Sequence, residues 1–230
     1  METSFAMQNT FGRRRKNMIK IDKTDVFGWS SAIRGMRNPM NSWDKSDSEW
    51  VMTVDEYGNE AWEYKIGEND LKLMKTLAKA GADHGKFLRM INVTFDCQSS
   101  LYWWKEADTY AIGKVQNSCS TMHKIHAKEF SVGDFSHEHL LEEGMYHLSA
   151  TVGLLNFYRE KFLETKNKEY WWQMIQLLPS SYNQKRTVQL NYQVLKNIYH
   201  ARRNHKLDEW HYFCDWIESL PYFKEICLED

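Results

Sequence analysis

The stretch from Thr187 to Trp210 constrains the fold more than any other part of the chain. Six apolar residues would share one face of a helix with one residue every 100°: Val188, Val194, Leu195, Ile198, Tyr199 and Ala201. This periodicity predicts a helix of at least four turns. Asn191 and Arg202 interrupt the apolar face and would point the same way, roughly 16 Å apart along the axis. A buried arginine needs a partner, because an unpaired buried charge is costly.

Two explanations fit Arg202 from periodicity alone. In the first, Arg202 pairs with a carboxylate of the core and Asn191 caps a neighbouring loop, since burial by itself indicates only that the charge is paired. In the second, the guanidinium faces a ligand anion or carbonyl, which its planar set of donors suits. The residues leave both explanations open.

The same stretch resembles the C-terminal signature of the flavin-dependent thymidylate synthase family. The likeness lies in Asn191-x-Gln193-x-Leu195-x-Asn197, then Arg202 and Trp210, with Leu177-Leu178-Pro179 upstream. The family has Asn-x-Arg-x-Leu-x-Asn, then an arginine, then Gln-Trp-Glu. The resemblance implies that Asn191, Gln193 and Asn197 lie at the flavin. It also implies that Arg202 faces the pyrimidine of deoxyuridylate as a catalytic and substrate-binding residue.

The middle of the chain carries a weaker form of the family pattern. His84 stands where the family has a Gly-His segment, and Lys105-Glu106-Ala107 replaces an Arg-His-Arg motif. The resemblance implies that His84 and Lys105 contact the cofactor. It further implies that Asn117 and Ser120 bind the nucleotide, with Ser120 at the phosphate.

Several positions lack a positively charged side chain, or an arginine, that the family has. Met122, Ile175 and Gln193 stand where the family has arginines, and Lys105 lacks the planar fork of an arginine. Each charged hydrogen bond to phosphate contributes about 1.5–3 kcal/mol, so these losses would weaken nucleotide binding by orders of magnitude.

Two classes of function follow from the resemblance. The first is a divergent synthase that methylates deoxyuridylate, with methylenetetrahydrofolate, FAD and NADPH, as a homotetramer. The second is a catalytically lapsed nucleotide- or protein-binding protein on the same scaffold. The joint occurrence of Asn191, Asn197 and Arg202 favours the enzyme, because a purely structural helix has no evident need for all three.

Composition narrows the class of protein. The length of 230 residues suits one domain, predicted over residues 18–230 after a mobile basic tail at residues 1–17 that contains Arg13 to Lys16. The net charge of −1 gives no electrostatic reason to expect nucleic acid or an anionic membrane as a partner. No apolar run is long enough for a membrane span and no signal peptide is evident, which predicts a cytoplasmic protein. The four cysteines lack metal-ligand spacing, and the His137-x-His139 pair alone is weak evidence for zinc, so no metal is predicted.

The order of the predicted elements indicates an α/β (α+β) fold in which a mixed sheet is flanked by long helices. Strands are predicted from Met18 and along the run from Met90 to Cys97, with a hairpin between Trp50 and Tyr64. Helices are predicted at five further segments: Glu68 to Ala80, Ser99 to Tyr110, Met145 to Thr165, Asn167 to Leu178, and Leu207 to Ser219. Ser136 is expected to cap a helix, and Trp103 and Trp104 are expected to pack in the core.

Overall fold

The computed structural model describes residues 19–229. The predicted boundary at residue 18 and the basic segment from Arg13 to Lys16 lie outside the described residues. The strands are β1 Lys20–Phe27, β2 Glu49–Val54, β3 Glu60–Lys65, β4 Asn92–Ser100, β5 Val115–Ser118 and β6 Asn183–Asn191. The helices are α1 Trp29–Arg37, α2 Glu68–Lys79, α3 Leu101–Ala107, α4 Glu142–Thr165, α5 Lys168–Leu177, α6 Tyr192–Arg202 and α7 Asp208–Glu218. A 3₁₀ turn spans Gly85–Arg89 and a π turn spans Lys224–Leu228.

A four-stranded sheet in the order β1-β4-β6-β5 forms the centre of the part described. Its neighbouring strands pair antiparallel throughout, so the α/β class is confirmed but the predicted mixed pairing is wrong. Strand β4 is the best-buried strand because Val93, Phe95 and Cys97 face the helices on one side of the sheet. The β2–β3 hairpin, predicted between Trp50 and Tyr64, is confirmed and forms a separate two-stranded sheet.

The helix predicted within the stretch from Thr187 to Trp210 is confirmed from Tyr192 to Arg202, but its predicted first turn is wrong. The residues up to Asn191 form strand β6, which pairs with β4 from Asn183 opposite Ser100 to Asn191 opposite Asn92. Val188 and Leu190 alternate along this segment and are both buried, which is the period of a strand. Helix α6 begins only at Tyr192, and the Asn191 side chain accepts the Val194 N–H at 3.1 Å as its N-cap.

Other predicted elements agree with the structure or correct it in detail. Helices α2, α4, α5 and α7 lie where the apolar periodicity predicted them, and Ser100 caps α3 through the Trp103 N–H. Strand β5 was missed, since its four residues carry too short a pattern to recognise. Ser136 does not cap a helix: it is buried and donates to Asn183 at 3.2 Å, and α4 begins six residues later.

Two apolar clusters hold these layers together. The larger one joins the helix-covered face of the sheet to α1, α2, α3, α6 and α7, and includes Trp103, Trp104 and Trp210. Both tryptophans of the Trp103-Trp104 pair therefore pack in the core, as predicted. The smaller cluster lies between α4, α5 and the segment around Phe135. None of the described helices combines the length and apolar character that crossing a bilayer requires.

Candidate functional site

Helix α6 carries the candidate site, with one group of polar residues at each end. Asn191, Gln193 and Asn197 lie at its N-terminal end, and Arg202 is its last residue. The loop between α3 and β5 runs alongside α6 and touches both ends. Tyr110 of this loop contacts Arg202, and Gly113 lies against Asn191. A Cβ on Gly113 would lie 3.0 Å from Asn191 Nδ2, and its φ of +77° also favours glycine.

The guanidinium of Arg202 lies beside two aromatic rings, whose centres are 6.2 Å apart. Its central carbon is 4.8 Å from the ring centre of Trp210 and 5.5 Å from that of Tyr110. Nε donates to Tyr110 Oη at 2.8 Å, and Nη1 donates to Glu106 Oε2 at 2.9 Å. Arg202 is thus paired with a carboxylate, as in the first explanation, but Glu106 is partly exposed and does not belong to the core. The side chain keeps 18% of its surface exposed, and none of the described hydrogen bonds uses its Nη2.

Glu106 is the residue that joins this cluster. The same oxygen, Oε2, also accepts the Trp210 Nε1–H at 2.9 Å and lies 3.4 Å from His205 Nε2. His205 Nδ1 accepts the Leu207 N–H at 3.2 Å, which places the proton of the neutral ring on Nε2. Two donors, Arg202 Nη1 and Trp210 Nε1, thus bond one carboxylate oxygen, and His205 lies close to it. Among residues 19–229, no described hydrogen bond reaches the other oxygen, Oε1, and about a third of the side chain is exposed.

A second charged cluster is centred on Asp108, two residues after Glu106 in the chain. Asp108 accepts both Arg186 Nη1 contacts, at 2.9 and 3.1 Å, and the Lys114 Nζ at 3.0 Å. Burial works against its charge, yet hydrogen bonds from Gln116 and Lys114 and the charge of Arg186 keep the pKa of Asp108 below its usual value. The Arg186 guanidinium also stacks 4.2 Å above the Trp104 ring centre. Lys114 is therefore held by Asp108 and by the Ala107 carbonyl, and is not a free cation for phosphate.

The remaining predicted residues are spread around this helix. Gln193 Nε2 donates to Asn197 Oδ1 at 3.0 Å on the exposed side of α6. His84 is exposed beside the 3₁₀ turn Gly85–Arg89, which packs on α6, and Lys105 is exposed on α3. The flavin contacts expected of Gln193, Asn197, His84 and Lys105 remain predictions.

The predicted nucleotide residues lie on and after β5. Asn117 is exposed and pairs with Thr187 of β6 in register. Ser120 Oγ accepts the N–H groups of Met122 and His123, at 3.2 and 2.9 Å, so its oxygen already stabilises a turn. Ile175 packs against the smaller apolar cluster, which accounts for an apolar residue at that position.

Sequence reasoning treated Glu106 only as part of a degraded motif and did not consider Tyr110, His205 or Arg186. The reversal of charge at Glu106, within a motif that is basic in the family, was the one available signal. A small cavity of about 20 Å³ lies next to the cluster, lined by apolar side chains that include Trp103, Ile198 and Trp210. This volume suits one water molecule, so it is not a ligand pocket. In the part of the chain that the structure describes, no three His, Cys, Asp or Glu side chains form a potential metal site.

Comparisons with known proteins bear on the fold. No protein-family model matches the sequence, and no curated protein matches it. Two solved structures of flavin-dependent thymidylate synthase from Helicobacter pylori, with FAD and dUMP, match 93% of this chain and 98% and 97% of theirs. Their TM-scores are 0.66 and 0.65, both at 16% identity. A UMP/dUMP methylase from Streptomyces cacaoi, bound with 5-Br dUMP, covers 79% of this chain and 76% of its own, with a TM-score of 0.53 and 11% identity. The resemblance seen in the sequence is thus confirmed at the level of architecture, and this chain has the fold of the flavin-dependent thymidylate synthases.

Proposed function

We propose that the protein binds deoxyuridylate at the C-terminal end of α6 and acts as a divergent flavin-dependent thymidylate synthase. The observation that carries this proposal is Arg202, a partly exposed guanidinium that bonds Tyr110 Oη and lies over the ring of Trp210. A fixed arginine that retains unused donors suits the carbonyl groups of a pyrimidine ring. The solved structures that share this fold contain dUMP or an analogue of it, which supports the choice of nucleotide.

The residues at the N-terminal end of α6 fit a flavin in part. The amides of Asn191, Gln193 and Asn197 offer donors and acceptors that match a flavin ring. The pyrophosphate of FAD carries negative charge and needs cations, yet among the five predicted cofactor residues only Lys105 has a fixed positive charge. We therefore expect weak flavin binding. Bound flavin would supply the reducing equivalents, with NADPH as the reductant and methylenetetrahydrofolate as the one-carbon donor.

A homotetramer is part of the same proposal. Helix α4 is apolar on more than one side. It buries Leu148, Val152 and Leu155 within this chain, but it also leaves Leu154 and Phe157 exposed by 41% and 49%. A long helix with apolar residues on several faces needs a second covering surface. Another copy of the chain would provide that surface.

A catalytically lapsed binding protein is the second candidate. The Glu106–Arg202 pair favours it, because an acidic residue occupies a motif that is basic in the family and neutralises the predicted pyrimidine contact. The absence of arginine at Met122 and Ile175 points the same way, since neither side chain can bond a phosphate and Ile175 packs against the smaller apolar cluster. Such a protein would bind nucleotide without converting it.

Three measurements on the purified protein separate the candidates. The visible absorption spectrum, followed by titration with FAD, reports flavin binding. Thermal unfolding with and without dUMP reports nucleotide binding, since a ligand that binds the native state stabilises it. Conversion of dUMP with methylenetetrahydrofolate, FAD and NADPH reports turnover. Nucleotide binding with turnover supports the synthase, binding without turnover supports the lapsed protein, and a protein that binds neither ligand at millimolar concentration contradicts both.

A further inference from the structure

We propose that Glu106 and Arg202 together form an acceptor–donor pair that recognises a ring N–H beside a ring carbonyl, and that Glu106 thereby selects uracil over cytosine. This inference rests on the proposed nucleotide binding. It adds a residue and a specificity that the resemblance to the family does not supply, because the corresponding family motif is basic.

The first argument concerns the fixed orientation of the carboxylate. Glu106 Oε2 is surrounded by Arg202 Nη1, Trp210 Nε1 and His205 Nε2, all within 3.4 Å. Trp210 is fully buried and packs against Trp103 and Phe213, so its Nε1 is an immobile donor. The carboxylate plane is therefore held, and Oε1 is the oxygen that remains available to accept another hydrogen bond.

The second argument concerns the guanidinium next to it. Tyr110 Oη accepts the hydrogen bond from Arg202 Nε, and Glu106 Oε2 accepts one from Nη1. The N–H groups that remain unused lie on Nη1 and Nη2. The rings of Tyr110 and Trp210 contact the guanidinium and restrain its plane. One acceptor, Glu106 Oε1, and the unused donors of Arg202 are consequently fixed on neighbouring side chains.

The chemistry of this pair matches the imide edge of uracil. Uracil presents N3–H as a donor between two carbonyl acceptors, so N3–H would donate to Glu106 Oε1 while a carbonyl accepts from Arg202. Cytosine in the same register presents an unprotonated N3, whose lone pair would repel the carboxylate. Its 4-amino group can donate to Glu106 only when the base shifts by one position, so the selection requires that the sugar and phosphate hold the register. A site that pairs with a ligand N–H discriminates strongly against analogues that lack it, because its polar group is then left unpaired. A glutamate at this position therefore selects uracil.

The test uses the full chain and measures its affinity for dUMP, dCMP and N3-methyl-dUMP by calorimetry. In the unaltered protein we expect dUMP to bind about tenfold or more tightly than either of the other two ligands, which is the effect of one charged hydrogen bond. In Glu106→Gln, the amide oxygen would face the donors of Arg202 and Trp210, and the amide NH₂ would face the ligand. We expect the preference for dUMP over dCMP to disappear or reverse, and N3-methylation to have no further effect. Glu218→Gln is the matched control, since Glu218 of α7 has similar exposure and accepts a hydrogen bond from Tyr199 of α6.

The outcomes separate this inference from the proposed function. If dUMP and N3-methyl-dUMP bind the unaltered protein equally well, the inference is overturned without any variant having to fold. If Glu106→Gln binds dUMP more tightly with an unchanged preference over dCMP, Glu106 merely blocks Arg202, and the inference is again overturned while nucleotide binding stands. A protein that binds no pyrimidine nucleotide overturns both the inference and the proposed function.

Discussion

Arg202 Nη1 and Glu106 Oε2 lie 2.9 Å apart, although 96 residues separate them in the chain. This ion pair links the C-terminal end of α6 to the last turn of α3 and is closed on a third side by Trp210 of α7. Both partners remain partly exposed, at 18% and 34%. The pair is therefore rigid enough to hold a geometry and open enough to meet a ligand.

We expect Arg202→Lys to lower the affinity for dUMP by about tenfold or more. Lysine keeps the charge opposite Glu106 but lacks the planar set of donors that bonds Tyr110, Glu106 and a ligand at once. Calorimetric titration with dUMP checks this result. Arg203→Lys is the control, because Arg203 stacks on Tyr199 instead of the cluster. An Arg202→Lys protein with unchanged affinity would remove Arg202 from the nucleotide site.

Two variants of Asn191 separate its structural role from its predicted role at a flavin. Asn191→Ala removes the N-cap of α6 and should lower the free energy of unfolding by about 1 kcal/mol. Asn191→Ser keeps a capping oxygen and should be nearly as stable as the unaltered protein, but it lacks the amide donor. If the amide contacts flavin, both variants bind FAD more weakly. Chemical denaturation and FAD titration measure the two effects, and a serine variant with full FAD affinity would argue for a cap only.

The buried Asp70 should be the most sensitive carboxylate for stability. It accepts Arg37 Nε at 2.6 Å and the hydroxyl groups of Ser46 and Ser48, both at 2.7 Å. Asp70→Ala would leave Arg37 buried without its counter-ion, which costs about 3–5 kcal/mol. Denaturant unfolding measures this loss. Glu56→Gln, at the exposed hairpin turn, is the control and should change the stability little.

Asp70 should also make the stability of the protein depend on pH. Burial favours the neutral form of Asp70, but the hydrogen bonds from Ser48, Ser46 and Arg37 outweigh it and lower its pKa below the ordinary value of 3.8. The folded protein therefore binds this proton less readily than the unfolded chain does. Its contribution to stability is fully present above pH 3.8 and is lost as the pH falls through the lower folded pKa. Unfolding of the unaltered protein and of Asp70→Asn across this range should show a shallower acid loss in the variant, and parallel curves would contradict the assignment.

We expect Phe157→Glu to dissociate the proposed homotetramer. Phe157 lies on α4 and is half-exposed in the single chain, so a charge there would be buried only in an assembly. Light scattering at micromolar concentration should give a smaller particle for the variant. Glu160→Gln, one turn further along the same helix, is the control. A single-chain mass for the unaltered protein would contradict the assembly itself.

Sequence patterns sufficed where the determining interactions are local. The 3.6-residue periodicity gave α2, α4, α5 and α7. A cap at Ser99 or Ser100 was also predictable, because its partner lies three residues away, and the structure shows that it is Ser100. The hairpin turn at Gly58 and the burial of Trp103 were also evident from neighbouring residues and residue type. The likeness of Asn191, Asn197 and Arg202 to a family signature indicated the fold that the solved structures share.

Tertiary structure decided what depends on distant partners. Residues Thr187 to Asn191 match a helical period and a strand period at once, and only the pairing of β6 with β4 selects the strand. Asn191 thereby became a cap, and its expected alignment with Arg202 along one helix was lost. The carboxylate that pairs with Arg202 lies 96 residues away, where no local pattern identifies it. Helix periodicity specifies which face of a segment is buried, but the residue that meets a buried charge is chosen by the packing of α3 and α7 against the end of α6.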